Sequence, residues 1–74
     1  MQNSGIPIND LIHFLQSRGF NQTEFLHTHI GFEHEDGRTT QFISMDIVPP
    51  FVVCSCLDQA EIDIDDFEAF IERI

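Results

Sequence analysis

"HIGFEHEDGRTTQFIS", residues 29 to 44, decides the fold. Two runs of strand-forming residues flank Asp36-Gly37, which reads as a β-hairpin closed by a two-residue type I′ turn. That turn sets Ile30 opposite Ile43, Phe32 opposite Gln41, Thr28 opposite Met45 and Leu26 opposite Ile47. One face is then almost wholly apolar, and a slip of one residue would mix Ile43 and Met45 with His29 and His27. The other face receives His27 opposite Asp46, His29 opposite Ser44, and Gly31 opposite Phe42, whose ring covers the glycine gap.

Downstream, "VPP" at 48 to 50 ends the second strand because proline cannot donate to a ladder, and "FVVCSCL" at 51 to 57 has the β-branched content of a third. Val52, Cys54 and Cys56 share a face of it. Upstream, "IPINDLIHFLQSRGF" predicts a helix over 9 to 18, since Ile8, Leu11, Ile12 and Leu15 recur at the spacing of one buried stripe. Asn9 is its expected N-cap, Asp10 suits the positive end of its dipole, and Gly19 ends it with Phe20 folding back onto Leu15. The tail "EIDIDDFEAFIERI" repeats helical spacing through Phe67, Phe70, Ile71 and Ile74, with Asp63 as N-cap and Ile62 and Phe67 as a staple.

These elements give a single small α+β domain over residues 1–74, with a flexible N-terminus at 1–7. Its order is α-β-β-β-α: an antiparallel three-stranded meander with both helices packed on one face, burying Leu11, Leu15, Ile30, Ile43, Phe67 and Phe70. The opposite sheet face is expected to stay open. Hydrophobic residues make up 42% of the 74 positions and include eight Phe, enough for one core.

Thirteen acidic residues against three basic ones give a net charge of −10. Such a chain repels phosphate backbones and anionic lipid, so direct nucleic-acid or membrane binding is not expected, whereas a basic protein surface would be attracted. The N-terminus shows no basic stretch followed by an apolar run, and a cytoplasmic location with reduced cysteines is the expectation. Cys54 and Cys56 with His27, His29 and His34 have ligand chemistry for zinc, but the hairpin register points the histidines in opposite directions and C-x-C is not the usual knuckle spacing. No metal or other cofactor is expected. An EF-hand loop is also excluded, because "DQAEIDIDDFEAF" lacks the central glycine.

"HTHIGFEHEDGRTTQF" after "LIHFLQSRGF" resembles the core of HicA-type toxins, small ribonucleases of the double-stranded-RNA-binding fold with α-β-β-β-α order. The resemblance implies a ribonuclease with His29 at the position of the catalytic histidine. Read from the residues alone, His27 or His29 would be the general base and Arg38 the anion clamp. The charge of −10 runs against an RNA substrate, so this is the lesser alternative and no catalytic residue is assigned.

Two binding surfaces carry more weight. Seven of the thirteen carboxylates lie between Asp58 and Glu72, and Asp63, Asp65, Asp66 and Glu68 crowd the start of the last helix. They fit a non-enzymatic binding domain, an inhibitor or accessory subunit that engages a basic protein surface, with imitation of nucleic-acid phosphates as one form of it. The alternative is an interaction module or homodimer that uses the open sheet face at His27, His29, Phe42 and Asp46. Trp and Tyr are absent, which leaves Phe42 and Phe51 as the expected apolar anchors.

Overall fold

A computed structural model describes residues 5–25 and 28–73. The described elements are β1 (Ile6–Pro7), α1 (Ile8–Ser17), β2 (Phe20–Phe25), β3 (His29–His34), β4 (Thr39–Ile43), β5 (Ile47–Val48), α2 (Pro50–Ala60) and α3 (Ile64–Glu72). The main sheet has the order β2-β3-β4 and is antiparallel. The class and the α-β-β-β-α order are those the sequence implies, with a third helix at the end and the helices packed against the sheet.

Both amphipathic helices form where their stripes predict. Leu11, Phe14 and Leu15 are buried from α1, Phe67 is buried from α3, and Phe14 meets Phe67 and Phe70 edge-on at 5.1 and 5.3 Å. Asp63 caps α3 by accepting the Asp65 N–H at 3.0 Å, a contact of a kind worth about 1 kcal/mol. Asn9, by contrast, lies inside the first turn of α1. The helix starts one residue earlier because the Ile8 N–H donates to the Asp46 carbonyl at 2.9 Å, a tertiary partner that replaces a side-chain cap. Gly19, at φ +88°, ends the helix as expected and delivers the buried Phe20 into β2.

The hairpin forms between the expected segments but in a register shifted by one. His29 pairs with Ile43, Ile30 with Phe42, Gly31 with Gln41, and Phe32 with Thr40. The His34 N–H donates to the Arg38 carbonyl and the Gly37 N–H to the His34 carbonyl, so the loop has three residues, Glu35-Asp36-Gly37, with Gly37 at φ +99° as the bulge. Phe42 therefore points inward, 3% exposed and stacked 5.9 Å from Phe32, while Ile43 is 45% exposed and outside the core. The ring of Phe42 does not cover Gly31. Thr23 and Glu24 do, at a bulge in β2, and a Cβ on Gly31 would lie 3.4 and 3.3 Å from their side chains.

"FVVCSCL" is helix, not strand. Pro50 opens α2 as a preset first-turn residue, and Val53, Cys56, Leu57 and Ala60 make a buried i, i+3, i+4, i+7 stripe. The third strand is β2 instead, whose residues after Phe20 are exposed. Residues 6 and 7, assigned to a flexible lead-in by the sequence, pair with Ile47–Val48 and bury Ile6. Helix α2 lies along β4, where Thr40 Oγ1 donates to the Cys56 carbonyl at 2.8 Å and the Gln41 N–H donates to Gln59 Oε1 at 3.0 Å.

The cysteines diverge on α2: both are free, Cys54 exposed and Cys56 buried. Burial pushes the Cys56 thiol up to about 11 from an ordinary 9.0. In the native protein a disulfide reagent at pH 8 should modify Cys54 rapidly and Cys56 only after unfolding, which a thiol count with and without denaturant reads directly. Because the folded form holds that proton more tightly, the contribution of Cys56 to stability should decline as pH rises from 9 towards 11.

Candidate binding surface

The acidic residues at the start of α3 have different surroundings. Asp63 is occupied as the cap, Asp66 pairs with Arg18 at 2.6 Å, and Asp65 is exposed. Asp66 and Glu68 lie two residues apart, close to opposite sides of a helix. Glu68 faces a different neighbour set, a groove of about 430 Å³ between β1, the first turn of α1 and α3. Ile6, Pro7, Phe67 and Ile71 form its apolar walls, and Asp10, Glu68 and Glu72 supply carboxylates around it.

The local sequence explains this arrangement. Glu68 and Glu72 are spaced i, i+4 and Phe67 and Ile71 are likewise i, i+4, so α3 presents adjoining acidic and apolar rows along the same groove. Asp10, read from sequence only as a helix-dipole residue, completes the acidic side from α1. Neither Asp10 nor Glu72 stands out in the sequence as a site residue. The i, i+4 acidic pair was visible there, but its apposition to Asp10 depends on the pairing of α1 with α3.

Arg18 and Arg38 are engaged by the chain's own groups. Arg18 lies over the Phe14 ring at 5.6 Å as well as on Asp66. Arg38 donates to Asp36 at 2.8 Å and to the Ala60 carbonyl at the end of α2 at 2.7 Å, with its guanidinium 5.1 Å from the Phe20 ring centre. The Arg38 backbone N–H, donating to Asp36 at 3.0 Å, holds that carboxyl below its ordinary range, and the guanidinium acts in the same direction. These contacts tie the hairpin tip to α2.

The expected sheet-face site is rearranged. His29 is on the open face opposite Ile43, with its Nδ1 2.8 Å from Thr28 Oγ1. Phe42 is in the core, and Asp46 is exposed in the turn before β5. His27 lies outside the described residues. For the ribonuclease alternative, His29 and Arg38 would have to reach one phosphate, but they sit at opposite ends of the hairpin, about 17 Å apart along five residues of strand.

Comparisons with family models, with curated proteins and with solved structures return no match. The geometry alone therefore carries the functional reading. Among the described residues, no three His, Cys, Asp or Glu side chains are grouped to hold a metal ion, and no helix is long and apolar enough to cross a membrane. Phe25, Ile43, Met45, Ile47 and Phe51 are exposed apolar side chains, the largest exposures being 66% at Phe25 and 77% at Phe51.

Proposed function

We propose that the protein is a small, non-enzymatic binding domain that recognises a basic surface on a protein partner, as an inhibitor or accessory subunit. The observation that carries this reading is the disposition of charge. Thirteen carboxylates face three basic residues, and Arg18 and Arg38 are spent on the chain's own carboxylates, carbonyl groups and rings. The outward field is thus strongly negative, which accelerates encounter with a cationic partner and discourages polyanions.

Affinity capture from native lysate at 50 and 500 mM salt tests it. A basic protein held at low salt, released at high salt and lost when Asp65 and Glu68 are changed to Asn and Gln is the expected result. Capture indifferent to salt and to those changes would count against the proposal. Asp63 is best left intact in that variant, because removing the cap would add a stability effect to the binding effect.

A second reading is favoured by the exposed apolar side chains. Phe25 and Ile43 end β2 and β4 at the same end of the sheet, and Met45, Ile47 and Phe51 follow in the next few residues. Self-association there would replace the sheet-face homodimer built on Phe42. Sedimentation at high protein concentration should then show a dimer that Phe51→Ser dissolves, and a monomer at every concentration removes this reading.

A further inference from the structure

The geometry points to the groove between β1, α1 and α3 as the docking point for a short basic amphipathic segment of a partner protein: an apolar side chain seated against Ile6, Phe67 and Ile71, with Lys or Arg beside it reaching Asp10 and Glu72. This deepens the acidic-domain proposal and rests on it. The groove, at about 430 Å³, falls within the range of sites that enclose a ligand group. Its chemistry selects the occupant. An apolar wall alone would take any greasy side chain, but the Asp10 and Glu72 carboxylates beside it repel an acidic neighbour and attract a cationic one.

The other cationic or apolar candidates fit less well. A polyamine would meet the carboxylates yet leave the walls formed by Ile6, Phe67 and Ile71 without an apolar partner. Anionic lipid and nucleic acid carry the same sign of charge as the groove and as the whole chain at −10. A peptide helix with apolar anchors on one face and Lys or Arg flanking them satisfies both halves, by the usual mode of an amphipathic helix laid into a groove.

The test uses the full chain and a fluorescein-labelled amphipathic peptide of alternating Leu and Lys blocks, followed by anisotropy at low and high salt. Two variants make the same change in charge: Asp10→Asn with Glu72→Gln at the groove, and Asp58→Asn with Glu33→Gln away from it. Saturable binding to the unmodified chain that falls tenfold or more in the groove variant, but less than threefold in the distant one, is expected. Replacing Leu by Ser in the peptide should also cost tenfold or more, and backbone amide shifts on binding should centre on Ile6, Phe67 and Ile71. Equal losses in both variants, or shifts centred elsewhere, would overturn the groove assignment while leaving the acidic-domain proposal standing. Absence of salt-sensitive binding to the unmodified chain would overturn both.

Discussion

Phe42→Ala should destabilise the protein by about 3–5 kcal/mol, whereas Ile43→Ala should cost less than about 1 kcal/mol, measured by urea unfolding. The two residues are neighbours of similar hydrophobicity, and the hairpin register alone separates them. Phe42 is 3% exposed and stacked on Phe32, so truncation leaves a cavity beside a ring that has lost its partner. Ile43 is 45% exposed opposite His29 and gives up little that was buried. Reversed magnitudes would restore the register in which Ile43 pairs with Ile30.

Phe67→Ala should be as damaging, at about 3–5 kcal/mol, and should weaken α1 and α3 together. Phe67 is 1% exposed and meets Phe14 edge-on at 5.1 Å, joining the two helices across the core. A 74-residue domain has a total stability of about 4–11 kcal/mol, so the loss would remove a substantial fraction of it at the upper end and nearly all of it at the lower. Thermal unfolding followed by circular dichroism should show this as a lowered midpoint, and an unchanged midpoint would remove Phe67 from the centre of the core. The Asp10 and Glu72 changes used to probe the groove should leave that midpoint nearly in place.

Helices α1 and α3, with the Asp63 cap and the Gly19 stop, were legible in the sequence. Asp63 caps α3 and Gly19 closes α1 because both effects are local. The hairpin's strand parity was not legible, for two reasons. Asp36-Gly37 serves a two-residue turn and a three-residue loop equally well, since each needs a glycine with positive φ. Adjacent Phe42 and Ile43 also allow either face of the strand to look apolar. The structure resolves the choice through Thr40, whose hydroxyl is buried and satisfied by the Cys56 carbonyl of α2. In the other register Gln41 would have faced the core.

Helix α2 was misread because a short β-branched run can serve either structure, although its Val53, Cys56, Leu57 and Ala60 stripe was present. Strand β2 offered less, since an edge strand with most of its residues exposed has no alternation to detect. At the candidate site the consequence was specific. Glu68 was singled out from its own helix, but Asp10 and Ile6 joined it only through tertiary packing.

The bond from the Gln41 N–H to Gln59 Oε1 has a consequence for how this chain behaves in a crowd. β4 is an outer strand of the β2-β3-β4 sheet, and an outer strand ordinarily offers its unpaired amides as a template for a neighbour's backbone. Here a side chain from α2 occupies one of those amides, while on the opposite margin the bulge at Thr23 breaks the regular spacing of β2. Both margins therefore depart from the regular row of free amides that strand addition needs. The binding proposed above would accordingly be made by side chains rather than by backbone pairing, and there charge and shape can discriminate between partners.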